Sequence, residues 1–194
     1  MHAYSTDSNE RVNIPFYLAA ASILSAWILP KFLNWIGLSV PWWFDAPAVI
    51  GFYGIYYKLF DTLFWKWLAK VGIIQTPDLN GLWKGHFLSS YDGHTTQKVA
   101  TIEIKQTWTK MCIVFRNGTS RSKSMTSSII TTNAEGIVIS YEYQNEPNYD
   151  TVSTMQIHRG FTRLTLSTDK KELDGEYYTG RGRLSYGTMR FTKT

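Results

Sequence analysis

The chain has 194 residues, a formal net charge of +5 and only 18% charged residues, whereas aromatic residues make up 15% of it and include eight tryptophans. This length excludes two large lobes with a catalytic cleft between them, and the aromatic content argues against an intrinsically disordered chain. The single cysteine, Cys112, excludes an internal disulfide framework and a multi-cysteine zinc site.

The N-terminal part carries a long apolar segment. Residues 14–30 are 17 consecutive uncharged residues, and another 13 follow Lys31. Because about 20 apolar residues span the hydrocarbon core of a bilayer, we expect a transmembrane helix over about 14–36, with a kink at Pro30. Four small residues at helical spacing offer a face for close packing against a second helix or another copy of the chain: Ala21, Ser22, Ser25 and Ala26.

A second apolar segment follows at about 46–68, and Lys58 and Asp61 interrupt its middle. These two residues can form a buried pair between helices, or they can lie near the membrane surface and extend to water; both interpretations stay open. Basic residues flank the two segments but are absent from the connector 37–45, so the positive-inside rule places both termini in the cytoplasm. We expect 1–77 to be a two-helix, multi-pass membrane anchor.

From Asp78 onward the pattern changes to short alternating segments separated by turn residues. There are nine candidate strands: 80–91, 98–108, 110–117, 121–132, 136–144, 151–158, 161–168, 172–179 and 184–193. Short connections between them are typical of an antiparallel meander that closes into a barrel. If 151–158 and 161–168 form one strand bent at Gly160, the barrel has eight strands. We therefore expect 78–194 to be a compact, cytoplasmic, lipocalin-like ligand-binding β-barrel.

The first strand opens with Asn-Gly-Leu-Trp-Lys-Gly at 80–85. This Gly-x-Trp entry is similar to that of lipocalin-like barrels, in which a large indole closes the base. Arg190 on the last strand is available to stack on the Trp83 indole, as in those barrels. We assign both residues to structure rather than to ligand binding.

Two strands place hydroxyl groups on the same face as apolar residues: Ile137, Ile139, Tyr141 and Tyr143 on one, and Leu173, Gly175, Tyr177 and Thr179 on the other. Each tyrosine taken alone fits a core residue whose hydroxyl reaches water. Taken together, these residues make the interior more polar than a core requires. Since an eight-stranded barrel either fills with side chains or holds one small ligand, they predict a cavity.

The densest basic and glycine-rich stretch, Glu-Tyr-Tyr-Thr-Gly-Arg-Gly-Arg, lies at 176–183. Arginine binds phosphate through two parallel hydrogen bonds, glycine lets main-chain N–H groups approach an anion, and tyrosine rings stack on bases. The alternative is an ordinary hairpin turn with solvated arginines. The predicted ligand-binding residues are Arg181, Arg183, Tyr178, Tyr177, Thr179, Tyr141, Tyr143 and Arg121, with Lys123 as a further source of positive charge.

No catalytic motif accompanies these residues. The four histidines lie far apart, and nucleophile-elbow, Walker and Rossmann patterns are absent from the sequence. We therefore expect no enzymatic activity, no metal and no cofactor. With 15 basic and 11 acidic residues, 78–194 carries too small a positive charge to indicate DNA or RNA binding, whereas a small anion or lipid headgroups would fit.

Two membrane helices, a barrel that opens at 80–85 and a closing stretch Leu-Asp-Gly-Glu-Tyr-Tyr-Thr-Gly-Arg-Gly-Arg at 173–183 resemble the SMODS-associated two-transmembrane, β-strand-rich effectors of bacterial CBASS anti-phage systems. The resemblance extends from Ile14 to Phe191. It implies that a cyclic dinucleotide binds the barrel, that copies of the chain oligomerise, and that the bacterial inner membrane is disrupted and the cell dies. The residues alone leave open a membrane-tethered carrier or scaffold for a small apolar ligand, and a membrane enzyme acting on lipid.

Overall fold

The computed structural model describes residues 1–39, 41–181 and 183–194, and for Trp42 the main chain only. The chain divides into two compact units. One comprises residues 9–77 and is helical, and the other comprises 1–8 together with 78–194 and is built from β-strands. The division at Pro77 falls where the sequence pattern changes, but the first eight residues belong to the β unit.

The helical unit begins with α1 (Glu10–Trp35), which has 26 residues and contains both Pro15 and Pro30. At 1.5 Å per residue it is about 39 Å long, which exceeds the roughly 30 Å of a bilayer core. Among the described residues it is the one helix that is long and apolar enough to cross a membrane. It starts four residues before the expected helix because Asn9 and Glu10 already adopt helical dihedral angles.

The second apolar segment is helical in three successive parts. A short 3₁₀ turn (Trp42–Phe44) leads into α2 (Asp45–Leu59), a π-helical turn (Phe60–Phe64) and α3 (Trp65–Lys70). Lys58 lies in the last turn of α2 and Asp61 in the π-helical turn, where the hydrogen bonds span five residues. The two side chains are therefore not spaced as i and i+3 of one regular α-helix.

The small-residue face of α1 packs within the chain. Ser22 and Ala26 are buried, and the Ser25 hydroxyl lies 2.7 Å from the Tyr56 hydroxyl of α2. Small side chains let two helix backbones approach closely, and a hydroxyl pair adds a polar contact between them. Of the two partners expected for this face, the structure shows the second helix of the same chain.

The β unit is a closed barrel of eight antiparallel strands, as the sequence predicts. The N-terminal strands β1 (His2–Ala3) and β2 (Ser5–Thr6) precede the eight barrel strands, which are β3 (Gly81–Phe87), β4 (Lys98–Gln106), β5 (Lys110–Asn117), β6 (Ser120–Ile130), β7 (Ile137–Pro147), β8 (His158–Leu166), β9 (Glu172–Thr179) and β10 (Tyr186–Lys193). Each of the eight barrel strands pairs with its neighbours in sequence, including β5 with β6. The pairing of β10 with β3 joins the last strand to the first.

Two expected strands end differently in the structure. The expected strand 151–158 is absent: residues 152–157 form a loop after a 3₁₀ turn (Tyr149–Thr151). β8 is a single strand that begins at His158 and continues without a break through Gly160. The first barrel strand ends at Phe87 rather than at residue 91, because Ser89 caps a short turn through its hydroxyl.

One end of the barrel is filled by apolar side chains around Trp83. The indole is fully buried, and its Nε1 donates to the Leu79 carbonyl at 3.1 Å. Lys193, the cross-strand partner of Trp83, places its ammonium group 5.2 Å from the centre of the indole. The expected stack of Arg190 on Trp83 is wrong, because side chains alternate along a strand and Arg190 points outward, where it pairs with Asp174 at 2.8 Å.

The seam between β5 and β6 closes the barrel, and its main-chain pairing is short. The two strands are in register only at 114–116 with 121–123. Next to this ladder the Ile113 N–H donates to the Ser124 hydroxyl, and β6 has a bulge between Ser124 and Thr126 in its pairing with β7. Beyond this point the strands diverge.

Residues 1–8, which we call the N-terminal segment, occupy the gap. β1 pairs antiparallel with β5 and β2 pairs parallel with β6. The Tyr4 ring is buried, and its hydroxyl donates to the Trp108 carbonyl at 2.7 Å and accepts from Gln106 at 3.2 Å. Strands of two residues are too short to show alternation, so the sequence pattern does not reveal them.

Asp7 anchors the end of this segment. Its carboxylate accepts hydrogen bonds from the main-chain N–H and the hydroxyl of both Thr131 and Thr132. Burial alone would raise the pKa of Asp7, but the hydrogen bonds from Thr132 and Thr131 outweigh it and hold the pKa well below the ordinary value of 3.8. The ionised carboxylate therefore stabilises the folded barrel.

We expect Trp83→Ala to lower the free energy of unfolding by about 3–5 kcal/mol, because it empties the closed end of the barrel. Arg190→Ala serves as the control, since its ion pair with Asp174 is solvent-exposed and should leave the melting temperature nearly unchanged. Thermal denaturation of the full chain in detergent measures both. Equal losses in the two variants would contradict this assignment.

We expect Asp7→Asn to lower the melting temperature at pH 7. A carboxyl group whose folded-state pKa is depressed stabilises the protein above its unfolded-state pKa, and this contribution is lost as the pH falls below about 4. The difference in melting temperature between parent and variant should therefore stay nearly constant down to about pH 4 and shrink as the pH is lowered from there to about pH 2. A difference that stays constant across this range would show that Asp7 acts through something other than its charge.

Candidate functional site

The barrel encloses a cavity of about 220 Å³ at the end opposite Trp83. The space exists because β6 points only small side chains inward here, Ser120 and Ser122, while the facing strands contribute tyrosines. Gly160 is required on β8, since a Cβ atom at this position would lie 2.3 Å from the Tyr143 hydroxyl. The cavity predicted from the polar interior is therefore present, at one end of the barrel.

The floor of the cavity is apolar and aromatic. Phe87 and Phe115 meet edge to face with ring centroids 5.5 Å apart, and Met189 lies beside them in the lining. Phe87 also contacts Tyr177 edge to face at 6.2 Å. Such a floor favours a flat aromatic group over a charged one, because it offers ring faces and edges but no hydrogen-bond partner.

Three tyrosines form the wall above this floor. Burial raises the pKa of Tyr141 to about 12, and burial likewise raises the pKa of Tyr143 and of Tyr177. All three are therefore neutral phenols at physiological pH. They can donate and accept hydrogen bonds without adding negative charge that would repel an anion.

Thr162, the cross-strand partner of Tyr141, lines the same cavity and is 1% exposed. Its hydroxyl lies near enough to Tyr141 to offset part of the pKa shift, but it makes no hydrogen bond of ordinary geometry with the described residues. A buried hydroxyl without a partner costs free energy, so it marks a place where a ligand gains a hydrogen bond.

Arg183 supplies positive charge at the mouth of the cavity. It lines the cavity, and its guanidinium acts on the pKa of Tyr143, Tyr177 and His158. Burial lowers the pKa of His158 and Arg183 lowers it further, so this histidine is neutral at pH 7. Among the described residues Arg183 forms no ion pair, which leaves its charge available to an anion.

A second basic residue, Lys98 at the start of β4, lies at the mouth of the cavity. Lys98 pairs with Asp92 at 2.7 Å and lies 5.7 Å from the ring centre of Tyr91. Arg183 approaches the same ring at 5.2 Å. Tyr91 is largely exposed, so an aromatic face flanked by two cations stands at the rim.

Five of the eight predicted site residues line the cavity: Tyr141, Tyr143, Tyr177, Thr179 and Arg183. The Thr179 hydroxyl is already occupied, since it donates to the Ser185 carbonyl at 3.0 Å and accepts from the Ser185 N–H at 2.8 Å. Its contribution is to fix the β9–β10 connection that carries Arg183. That any of these residues contacts a ligand stays a prediction.

The other three predicted residues do not line the cavity. Tyr178 is 54% exposed and packs on Phe161 at the outer surface, with ring centroids 5.5 Å apart. Arg121 points outward because its neighbours Ser120 and Ser122 point inward, and Lys123 does the same. Arg181 is exposed, as in the solvated turn we considered as the alternative; its neighbour Gly182 lies outside the described residues.

Sequence reasoning missed polar residues that one turn and four strands bring to the cavity: Tyr91 from the turn, and Lys98, Asn117, Asn145, His158 and Thr162 from the strands. Tyr91 and Lys98 flank the Asp92-Gly93 turn, and inward-facing Thr162 follows from alternation along β8. Alternation alone, however, does not tell which end of a strand faces a cavity and which faces a filled core.

A second depression of about 450 Å³ lies beneath the closed end of the barrel. It is lined by Glu135, Glu172 and Asp174 against a single amine, Lys170. Three carboxylates disfavour an anionic ligand, so greater volume does not make this depression the better candidate.

Comparisons with known proteins agree with this geometry. The family model described as "Cap15, cyclic dinucleotide receptor domain" matches residues 74–193, and the model described as "Cap15, TM helices" matches residues 12–66. A protein named CD-NTase-associated protein 15 from Yersinia aleksiciae is 33% identical over 157 residues, covering 77% of this chain and 71% of that protein. A protein of the same name from Staphylococcus schleiferi is 30% identical over 121 residues, covering 62% of this chain and 64% of that protein.

The two family models together cover the apolar helices and the barrel, and the receptor-domain model contains every residue that lines the cavity. The chain therefore belongs to the Cap15 family of CBASS effectors, and its barrel is the cyclic dinucleotide receptor domain of that family.

Proposed function

We propose that this chain binds a cyclic dinucleotide in the cavity at the open end of the barrel, oligomerises in response and disrupts the bacterial inner membrane. The main support for the binding step is that Thr162 and Arg183 line the same cavity. The Thr162 hydroxyl makes no hydrogen bond of ordinary geometry with the described residues, and the Arg183 guanidinium is positively charged. A ligand that has both hydrogen-bonding bases and phosphates satisfies both groups at once.

The lining suggests how such a ligand is divided between the cavity and its mouth. A base fits the aromatic floor, where Phe87 and Phe115 offer apolar contact and the tyrosine hydroxyls surround its polar edge. The phosphates then lie near Arg183 and Lys98. Because the cavity is smaller than the 300–1,000 Å³ common for ligand sites, we expect part of the ligand to extend past the rim and lie against Tyr91.

The same lining disfavours the alternative of a carrier for a small apolar ligand. An apolar molecule would leave the Thr162 hydroxyl without a partner and would desolvate Arg183 without compensation. That the chain is a receptor without enzymatic activity and binds no DNA or RNA remains a prediction.

The fold supports a specific membrane topology. Because residues 1–8 and 78–194 form one compact unit, they lie on the same side of the membrane, and the intervening chain crosses it an even number of times. Two crossings, by α1 and by the helical segment 45–70, are consistent with this, and the positive-inside rule places the barrel in the cytoplasm. A cytoplasmic receptor has direct access to a nucleotide second messenger.

Binding can promote assembly only if the ligand prefers the assembled form, because a ligand shifts an equilibrium through its difference in affinity between two states. We therefore expect ligand to raise the affinity between copies and so concentrate membrane helices at one place. The lesion in the membrane follows from that local concentration of helices.

We expect Arg183→Ala to weaken cyclic dinucleotide binding about 10- to 150-fold, the loss typical of one charge-assisted contact. Isothermal titration of the full chain in detergent micelles against a panel of cyclic dinucleotides measures this, and dye leakage from liposomes containing the chain reports the membrane step. Arg181→Ala is the matched control, since Arg181 is exposed and outside the cavity, and it should bind within about 3-fold of the parent. Parent-like binding by Arg183→Ala would place the anion site elsewhere.

Thr162→Val separates ligand binding from stability, because it removes the hydroxyl and keeps the branched shape. We expect the melting temperature to stay unchanged or rise, since the hydroxyl lies near Tyr141 but makes no hydrogen bond of ordinary geometry with the described residues. Ligand affinity should fall about 3- to 10-fold, equivalent to one neutral hydrogen bond. A lower melting temperature with unchanged affinity would mean that Thr162 serves the fold and not the ligand.

A further inference from the structure

We propose that the gap between β5 and β6 is a strand-accepting site for the N-terminal segment of a second copy, and that ligand binding drives this exchange between copies. The inference rests on the proposed function, because it names the physical step by which ligand binding leads to oligomerisation. The occupant of the gap in the free protein is the chain's own N-terminal segment.

The segment is held by few main-chain contacts. β1 and β2 are two residues each. Terminal strands of this length open at a small fraction of the global unfolding free energy, because few ladder hydrogen bonds must break. The segment can therefore leave the gap without unfolding the eight-stranded barrel.

The gap, however, cannot stay empty at low cost. Tyr4 belongs to the same buried apolar cluster as Met111 and Ile129, which flank the gap on β5 and β6. Removing the segment exposes this cluster and leaves the edges of both strands unpaired, and exposed edges readily pair with another chain. The identical segment of a second copy restores every one of these contacts, which makes exchange a low-cost route to assembly.

The ligand cavity lies on the same seam. Phe115 and Asn117 of β5 line it from one side, and Ser120 and Ser122 of β6 line it from the other. These residues lie in or next to the short ladder 114–116 with 121–123, the only place where β5 and β6 pair directly. The part of the ligand that enters the cavity contacts both strands, and we expect it to separate them; the separation reaches the gap through the next inward residue of β6, Ser124.

Ser124 links the ladder to the N-terminal segment. Its hydroxyl accepts from the Ile113 N–H at 2.9 Å and lies 2.8 Å from the His2 ring nitrogen. When β5 and β6 move apart, this side chain cannot keep both contacts, and His2 loses its partner. The ligand therefore acts on the segment through a direct chain of neighbouring groups and not over a distance.

Exchange has a consequence for the membrane helices. Ser8 is followed almost directly by α1, which begins at Glu10, so an exchanged segment ties the first membrane helix of one copy to the barrel of the next. Each copy then donates one segment and accepts another. Reciprocal exchange between two copies closes a dimer, whereas exchange passed from one copy to the next forms open chains or rings that gather many helices in one patch of membrane.

A reversible disulfide tests whether the segment must leave. Ala3 and Lys110 are exposed cross-strand partners, so Ala3→Cys with Lys110→Cys in a Cys112→Ser background allows an intrachain disulfide on the outer face. We expect the oxidised full chain in liposomes to bind the cyclic dinucleotide like the parent, to show no ligand-dependent oligomers by chemical cross-linking, and to leak dye only at background. Reduction should restore both. Oligomers and leakage in the oxidised protein would overturn the proposal.

A mixing experiment identifies the occupant of the gap. Ala3→Cys and Lys110→Cys are placed on separate copies, both with Cys112→Ser, and the mixture is oxidised with and without cyclic dinucleotide. We expect an interchain disulfide that increases at least 10-fold with ligand. Ala3→Cys mixed with Glu176→Cys is the control, because β9 is four strands away from β5 and should give no cross-link.

The outcomes separate this inference from the proposed function. If the parent neither binds a cyclic dinucleotide nor leaks dye, the proposed function fails. If the parent binds and oligomerises but the Ala3→Cys and Lys110→Cys copies form no ligand-dependent cross-link, the function stands and strand exchange is wrong.

Discussion

Closing the barrel is the constraint on which the rest of the structure depends. An eight-stranded sheet removes its edges only if its first and last hydrogen-bonded strands meet, and β5 and β6 meet over three positions. Beyond these three positions the N-terminal segment completes the wall. The first eight residues are thus part of the receptor, although the whole helical unit separates them from it in the chain.

The same strands that close the barrel also shape its cavity. Apolar residues fill the end at which the chain enters, around Trp83, so the fold is stabilised there and the other end need not be filled. At that other end, serines on β6 and Thr162 on β8 replace bulky side chains and leave room for a ligand. Buried hydroxyls and one unpaired guanidinium make this half of the barrel less favourable without a ligand than with one.

The filled half and the hollow half therefore lie at opposite ends of the barrel axis, and the seam between β5 and β6 runs through both. The helical unit has its own internal packing, in which Ser22 and Ala26 of α1 are buried against the same chain. Those two small residues are therefore part of the packing within the chain. The N-terminal segment pairs with the barrel through two strands of two residues each and leads directly into α1.

The sequence by itself determined the two apolar helical segments, the change to strands after Pro77, the closed barrel of eight strands and a polar interior, since hydrophobic periodicity and turn residues are local signals. It also identified Tyr141, Tyr143, Tyr177 and Arg183 as cavity residues. Only the tertiary structure decided which end of the barrel is open, why Lys193 and not Arg190 covers the indole, and that Tyr178 faces outward. These features depend on which face of a strand each side chain takes and on contacts between residues far apart in the chain. The place of residues 1–8 in the wall depends on the same kind of contact. No local pattern in the sequence encodes such contacts.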